Sequence, residues 1–227
     1  MEKTKINDIL KYDFYSNLEI SNDQKYLAFL KTNANFHKNK YDSFLYAYDI
    51  EKKKSFKIAD NKNIGLFIFD EDDNIIYREK SDDEFDYFYK KDRSMEIGSL
   101  DFKIDKNVSF IKDLKNGYFL IKASNKLSKD QLKTQKENSF YKEVTNVPFW
   151  FNGSGYIKDK VESLYFYKKD ENKLEKIREF ENETLNAFAI NKNLDKIALV
   201  IGKNDNKLAR LKDDLVFLDL KIKKRKL

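Results

Sequence analysis

Few residues in this chain could carry acid–base chemistry, and His37 is the only histidine among 227 residues. A histidine acts as general base when a Ser or Cys nucleophile lies beside it. The chain has no cysteine, and the run 153–155, Gly-Ser-Gly, lacks the Gly-x-Ser-x-Gly spacing of a nucleophile elbow. His37 lies in the polar stretch Thr32–Tyr41, which predicts an exposed loop. We therefore assign no catalytic residue, and we expect the chain by itself to hydrolyse nothing.

Two acidic clusters, Asp70–Asn74 and Ser81–Glu84, raise the possibility of a calcium site. Calcium loops alternate carboxylates and need glycine at the sixth position. Asp70 and Asp72 alternate, but Ile75 stands where the glycine belongs. A hairpin turn is the favoured interpretation, with a metal site as the alternative, and we assign no metal or cofactor.

The densest basic run, Lys221–Lys226, is a candidate phosphate-binding patch. The net charge of +6 is the difference between 45 basic and 39 acidic residues, whose signs alternate along most of the chain. Nucleic-acid binders usually carry a basic stripe instead. The run also coincides with the turn position of a repeated hairpin, so a solvated turn is favoured and no nucleic-acid partner is expected.

The residues discussed above must be held in place by the secondary structure around them, and the sequence contains a repeated unit that could form it. It consists of a short strand, a polar turn and a second short strand, with apolar residues spaced seven positions apart across the turn. The four copies are Leu18–Phe29, Leu66–Tyr77, Val108–Phe119 and Ala187–Ala198.

A second hairpin unit follows the first. Leu45–Ile58 aligns without a gap with Leu164–Ile177, Leu215–Leu227 is a shorter copy, and Phe85–Lys91 is a degraded one. Two hairpins per repeat make a four-stranded antiparallel sheet, and repeats of roughly 40–50 residues with four strands are typical of WD40-like propeller blades. We predict an all-β propeller with blades over about 14–60, 63–104, 105–178 and 184–227.

Two segments fall outside the repeat. Residues 4–13 place Ile6, Ile9 and Leu10 at helical spacing, which predicts a short helix under the first blade. The third blade carries an insertion over 123–160, in which residues 128–138 open with a capping box and predict an exposed helix. The insertion also holds Phe149, Trp150 and Phe151, which either fold back onto the blade or form a recognition surface; we favour packing.

The composition favours a water-soluble, cytoplasmic protein with no membrane partner. Hydrophobic residues make up 41% of the chain, and its 19 Phe and 14 Tyr suit pleated sheets. No cysteine is available for disulfides, and no window approaches 18 consecutive apolar residues.

The order of these features resembles the propeller of prolyl-oligopeptidase-family serine peptidases, in particular the acylaminoacyl-peptidase-like branch. That propeller typically reads Ser-Pro-Asp-Gly-Lys before its second strand, where this chain has Ser21–Lys25. Val147–Tyr156, before the strand at Ser163–Tyr167, is similar to an aromatic-Asn-Gly-x-Gly-Tyr segment of the same branch. The resemblance covers nearly the whole chain, although the proline and glycine of the turn motif are absent from every copy except at Gly117.

The resemblance implies a propeller that covers a hydrolase domain and admits short or unstructured peptides. The Ser, Asp and His of that hydrolase match no residue of this sequence, so peptides and a hydrolase domain C-terminal to the propeller are the expected partners. A stand-alone protein-interaction module is the alternative.

We further expect the sheets to pack face to face on Ile20, Phe69, Ile111 and Ile190. The sequence stops at the end of a fourth blade, which predicts a partial ring whose terminal blades expose apolar faces. Such faces predict self-association, most simply as a homodimer.

Overall fold

The computed structural model describes residues 6–59, 64–79, 85–92, 98–126, 150–151, 155–156, 161–181, 183–203 and 213–220. Contacts between Cα atoms divide the chain into two compact units. One comprises Met1–Leu120 with Tyr167–Lys173, and the other comprises Ile121–Phe166 with Leu174–Leu227. The fold class is all-β, with four antiparallel blades of the propeller type, as the repeats predict.

Blade one is a four-stranded antiparallel sheet in sequence order. Its strands are β1 (Asp13–Ile20), β2 (Tyr26–Asn35), β3 (Lys40–Asp49) and β4 (Lys54–Lys57). The predicted N-terminal helix is a 3₁₀ helix, Ile6–Lys11, that contacts β2, and a second 3₁₀ turn, Phe36–Lys38, joins β2 to β3.

Blade two repeats this order with four strands. They are β5 (Ile64–Phe69), β6 (Ile75–Glu79), β7 (Asp86–Lys91) and β8 (Gly98–Ile104). The degraded hairpin copy of the sequence therefore forms a regular strand, β7.

Blade three contains the insertion between its second and third long strands. The strands in chain order are β9 (Lys106–Asp113), β10 (Tyr118–Asn125), β11 (Trp150–Phe151), β12 (Gly155–Tyr156), β13 (Glu162–Lys168) and β14 (Lys173–Phe180). The blade has the order β9-β10-β13-β14, and β11 pairs with β12 as a separate two-stranded hairpin. The helix predicted over 128–138 lies outside the described residues.

Blade four has three described strands, β15 (Glu183–Ile190), β16 (Lys196–Lys203) and β17 (Asp213–Asp219), in that order. The strand and basic turn predicted over 221–227 lie outside the described residues. Within the part of the chain that the structure describes, no helix is long and apolar enough to cross a membrane.

The turn between the first two strands has nearly the same geometry in three blades. Its first residue, Ser21, Asp70 or Asn191, offers a side-chain oxygen to backbone N–H groups four or five residues on. The backbone N–H of the fourth residue donates back to the first carbonyl, at 2.9–3.1 Å. That fourth residue has a positive φ, as in Gln24 (φ 60°), where an L side chain is strained.

The strain at Gln24 predicts that Gln24→Gly stabilises the fold by about 0.5–1 kcal/mol, since glycine adopts this φ without a steric cost. Gln24 is exposed, so little packing is lost. The control is Lys25→Gly in the same turn, where φ is not positive. Chemical denaturation should show opposite signs for the two variants, and destabilisation by both would contradict this account of the turn.

Blades one and two pack face to face. Blade one contributes its alanine face, defined as Ala28, Leu30, Leu45 and Ala47. Blade two contributes its aromatic face, defined as Phe67, Phe69, Tyr77 and Tyr89. The rings of Tyr77 and Tyr89 stack at 5.8 Å, and burial together with the nearby Glu79 carboxylate raises the pKa of the Tyr77 hydroxyl to about 12.

The other face of blade two belongs to a cluster of aromatic rings. Phe88 and Phe102 stack with their centroids 4.6 Å apart, and Phe102 lies 5.0 Å from Tyr167 and 5.4 Å from Phe119. Phe88 is completely buried. Aromatic rings at these separations add specific ring–ring attraction to the burial of apolar area.

A buried ion pair lies beside this cluster and joins blade two to β9. Arg78 Nη1 donates to Asp86 Oδ2 at 3.1 Å and also to the Val108 carbonyl. The Val108 backbone N–H donates to the same Asp86 oxygen at 2.9 Å. Asp86 is 2% exposed, so its charge is held by these partners rather than by water.

The predicted packing positions have different outcomes. Phe69 packs in the core between blades one and two, and Ile111 is buried. Ile190 is only half-buried. The prediction for Ile20 is wrong, because Ile20 is 55% exposed. Ile20 pairs with Leu27, as Phe69 pairs with Ile75. Phe69 packs on the preceding blade, whereas Ile20 belongs to the first blade of the described chain.

Candidate functional site

The acidic turn Asp70–Asn74 is linked to the equivalent turns on either side of it. The Asn22 backbone N–H donates to Asp73 Oδ1 at 2.5 Å, and its side-chain amide donates to the Asp70 carbonyl at 2.9 Å. On the other side, the Glu71 N–H donates to Asp113 Oδ2, and the Asn116 N–H donates to Glu71 Oε1, both at 2.9 Å. The three turns therefore form one continuous hydrogen-bonded series.

Asp70 has a structural role in this series. Its Oδ1 accepts from the backbone N–H groups of Asp72 and Asn74, and Lys90 Nζ lies 2.7 Å from Oδ2. Burial opposes ionisation of Asp70, but the hydrogen bonds from Lys90 and Asn74 outweigh it and hold the pKa of the carboxyl below 3.8. Within the described residues, no group of three or more His, Cys, Asp or Glu side chains is arranged to hold a metal ion.

The pKa of Asp113 is shifted in the opposite direction from that of Asp70. Burial raises the pKa of its carboxyl above 3.8, and the nearby Glu71 and Asp70 carboxylates add to the rise. Backbone hydrogen bonds from Lys115 and Glu71 partly offset these effects. The turn series thus contains one carboxyl that favours the charged state and another that disfavours it.

The ion pair at Asp70 predicts a pH-dependent loss of stability in Asp70→Asn. Because the folded-state pKa is lowered, the stability that Asp70 contributes is present above about pH 4 and is lost as the pH falls through the folded-state pKa. We expect Asp70→Asn to cost about 1–3 kcal/mol at pH 7 and progressively less in acid. Urea titrations at several pH values measure this.

The control for Asp70→Asn is the exposed neighbour, Asp72→Asn, for which we expect a change within about 0.5 kcal/mol. A destabilisation by Asp70→Asn that persists unchanged at low pH would contradict a role for its charge.

His37 lies on the 3₁₀ turn Phe36–Lys38 and is exposed, as predicted. Its ring lies edge-on to Phe36 at 6.3 Å, and the Asn35 side chain caps the turn by accepting from the Lys38 N–H. The structure therefore places His37 in a surface connection of blade one.

The insertion brings Trp150 opposite Tyr156 and Phe151 opposite Gly155. The run 152–154, Phe149 and the side chains of this hairpin lie outside the described residues. The predicted packing of the three aromatics stays a prediction.

Blade one has a second, partly exposed face that carries aromatic and aliphatic side chains. We define the aromatic face of blade one by the residues that the strand register places on this side of the sheet: Tyr15, Ile20, Leu27, Phe29, Phe44, Tyr46 and Tyr48. Tyr15 and Ile20 are exposed, and the others are half-buried.

The aromatic face of blade one has the same construction as the aromatic face of blade two, because each contains a stacked pair of rings from neighbouring strands. Phe29 stacks on Tyr46 at 5.9 Å, in the position that the Tyr77–Tyr89 stack takes in blade two. Lys31 Nζ lies 5.9 Å from the Tyr46 ring, and Lys57 Nζ lies 4.2 Å from the Phe44 ring. These cation–π contacts cover part of the rings.

Blade four has a partly exposed face on which the side chains are smaller, since three of them are alanines. We define its alanine face by Ala187, Ala189, Ala198, Val200, Leu215 and Phe217, which the register places together. Leu215 is 62% exposed and Phe217 is 70% exposed. The opposite face of blade four holds Ile197, Leu199 and Ile201, which are buried.

Sequence reasoning identified the exposed terminal faces only in general terms and missed their residues. The available signal was the repeat alignment, since Ala28 and Ala198 occupy the same position, as do Leu30 and Val200.

Comparisons with known proteins support the fold. No family model and no curated protein matches the sequence. Among solved structures, the chain is similar to the acylaminoacyl peptidase of Pyrococcus horikoshii, with 14% identity and a TM-score of 0.66 over 92% of this chain and 32% of that one. It thus spans about a third of that peptidase.

Two further similarities have lower scores. The β-propeller domain of the trilobed protease from Pyrococcus furiosus has a TM-score of 0.51 at 13% identity, over 92% of this chain and 55% of that one. TolB from Acinetobacter baumannii has a TM-score of 0.52 at 14% identity, over 92% of this chain and 41% of that one. The chain therefore has the β-propeller blade fold that is found in the propeller regions of the acylaminoacyl peptidase and the trilobed protease.

Proposed function

We propose that this chain is the non-catalytic, substrate-gating propeller of a serine peptidase similar to prolyl oligopeptidase and acylaminoacyl peptidase. The observation that carries the proposal is the similarity of 92% of the chain to part of acylaminoacyl peptidase, together with its similarity to a protease propeller domain. Both comparisons support the same propeller-blade fold.

In this role the chain contributes shape rather than chemistry. Its partners are a hydrolase domain, which supplies Ser, Asp and His, and the peptides that reach it. A blade framework with short, hydrogen-bonded turns restricts access to substrates that are short or unstructured. We propose the cytoplasm as its compartment.

The experiment is capture with antibodies raised against this chain, followed by labelling with a fluorophosphonate, which reacts with activated serine nucleophiles. We expect a labelled hydrolase in the captured material, either joined to the chain or bound to it, that cleaves a short N-acylated peptide. Captured material that contains the chain but no labelled species would overturn the proposal.

A second function, a stand-alone protein-interaction module, is favoured by one observation, the exposed aromatic face of blade one. The same capture discriminates the two, since an interaction module would bring down its partner without fluorophosphonate labelling.

A further inference from the structure

The hairpin formed by β2 and β3 is longer than the equivalent hairpin of blade two. β2 has ten residues, whereas β6 has five within the described chain. The repeat alignment places Lys31 at the position of Glu79, where β6 ends, so β2 extends further over 32–35. At a rise of about 3.3 Å per residue, this extension is about 13 Å long. We call it, with its partner residues 40–43 on β3, the extended hairpin end.

One face of the extended hairpin end carries a pair of aromatic rings. Phe14 pairs with Thr32, and Tyr41 pairs with Ala34, which puts both rings on the same side of the sheet as the alanine face of blade one. The two rings meet edge to face with their centroids 6.4 Å apart. The alanine face is covered by blade two, but Phe14 is 44% exposed and Tyr41 is 61% exposed. The blade therefore presents this aromatic pair to solvent.

The opposite face of the extended hairpin end is held by polar contacts. Lys31 Nζ lies 2.7 Å from Asp13 Oδ2, and the Asn33 side-chain amide donates to the same carboxylate. The Asn35 side-chain amide donates to Asp42 Oδ2 at 2.8 Å. These contacts join β1, β2 and β3 side by side. A sheet that is already ordered loses little conformational freedom when a further strand pairs with it.

The outer edge of β3 is open along the extended hairpin end. β4 pairs with residues 46–49, and the Ile58 N–H donates to the Leu45 carbonyl. Backbone groups of an antiparallel strand alternate in direction, so those of Tyr41 and Ser43 point to the same side as the Leu45 carbonyl, away from β2. In the described ranges, no strand pairs with Tyr41 and Ser43 on that side. In blade two, by contrast, β8 pairs with β7 along its whole length.

This open edge lacks the charged side chains that usually protect an edge strand. Natural proteins cover such edges or place charges along them. β14, the outer strand of blade three, has charged residues at five of its eight positions. The residues whose backbone groups face outward on β3, Tyr41 and Ser43, are both uncharged. The edge is therefore able to accept a further strand.

The edge and the aromatic pair together fit an extended peptide. Edge pairing requires main-chain N–H and C=O groups that are not already paired, and an extended peptide has them. Alternate side chains of an added strand point to the same face, so every second one would lie beside Tyr41. An aromatic or large aliphatic side chain at that position would cover exposed ring surface.

We propose that the outer edge of β3 at Tyr41 and Ser43 binds an extended peptide as an added antiparallel strand, with every second peptide side chain against the Phe14–Tyr41 pair. The occupant is the short or unstructured peptide of the proposed function, on which this assignment rests. Main-chain pairing makes binding tolerant of sequence, and the aromatic pair adds a preference for apolar side chains at alternate positions.

The probe is an N-acetylated, fluorescein-labelled hexapeptide in which Phe alternates with Thr, and its binding to the purified full chain is followed by fluorescence anisotropy. We expect saturable binding, and two backbone-methylated forms test how the peptide binds. An added strand has one edge on β3 and the other in water, so methylation of one set of nitrogens should weaken binding at least about 10-fold. In an antiparallel pair, opposite residues share a face, so the sensitive set is that of Phe.

Variants of the chain locate the site. Ser43→Pro removes an outward N–H while leaving the pairing with β2, and should weaken binding at least about 10-fold. Ser55→Pro is the matched control, because the alternation from Ile58 points its N–H away from β3, on the outer edge of β4. Tyr41→Ala should weaken binding at least about 5-fold, and Phe217→Ala, another exposed aromatic, should not. Circular dichroism confirms that each variant is folded.

No saturable binding below about 1 mM would overturn the proposal. Equal binding of the two methylated peptides would also overturn it, in favour of apolar adhesion, as would equal effects of Ser43→Pro and Ser55→Pro. The hydrolase takes no part in this assay, so its outcome is separate from that of the capture experiment. Binding at this edge without a captured hydrolase would leave the site in place and remove only the proposed function.

Discussion

Replacing Asp86 with alanine is expected to destabilise the fold by about 3–5 kcal/mol, the cost of leaving one member of a buried ion pair without the other. Asp86 accepts from Arg78 and from the Val108 backbone N–H, and it is 2% exposed. Its loss leaves a guanidinium charge and a backbone donor in a site with little access to water. Urea denaturation should show a large fall in midpoint.

Two variants control for Asp86→Ala. Asp105→Ala removes a carboxylate that is 65% exposed, and we expect a change within about 0.5 kcal/mol. Asp86→Asn keeps a hydrogen-bond acceptor but removes the charge, and its effect should fall between the other two. If Asp86→Ala and Asp105→Ala have equal midpoints, the network does not hold blade two to β9.

Replacing Phe88 with alanine is the other change of this size, expected to cost about 3–5 kcal/mol. Phe88 is fully buried and stacks on Phe102 at 4.6 Å. The truncation removes apolar burial and leaves a cavity bounded by rings that have limited freedom to collapse into it. Phe88→Leu, which refills part of the volume, should recover part of the loss.

The matched control for Phe88→Ala is Phe217→Ala, because the Phe217 side chain is 70% exposed. It should leave the free energy of unfolding of the monomer within about 0.5 kcal/mol. A loss of less than about 1 kcal/mol in Phe88→Ala would contradict the packing described for this cluster.

The strands and turns could be predicted from the sequence because their causes are local. Alternation of apolar residues fixes the strands, and Ser21, Asp70 and Asn191 each begin a turn in which a side-chain oxygen replaces a missing backbone partner. Repetition then gives the blade, since a hairpin pair that recurs in the chain needs the same packing each time.

The faces could not be assigned in the same way. Ile20 and Ile190 occupy equivalent positions, yet one is exposed and the other is half-buried, because burial depends on whether a neighbouring blade is present. A bulge between Ser16 and Glu19 also shifts the register within β1. The Arg78–Asp86–Val108 network was missed because it joins residues from separate repeats.

In the candidate site, too, features with local causes could be predicted from the sequence, and features that depend on contacts between strands could not. The exposed position of His37 followed from the polar residues around it. The role of Asp70, by contrast, depends on Lys90, which lies on another strand of the blade. The pairing of Phe29 with Tyr46 required the strand register.

The central claim, that this chain gates a serine peptidase, is tested most directly by comparing two substrates of the captured hydrolase. One is a short acylated peptide, and the other is the same segment within a folded protein. We predict that the wild-type assembly cleaves the peptide alone. Equal cleavage of both substrates would contradict a gating role.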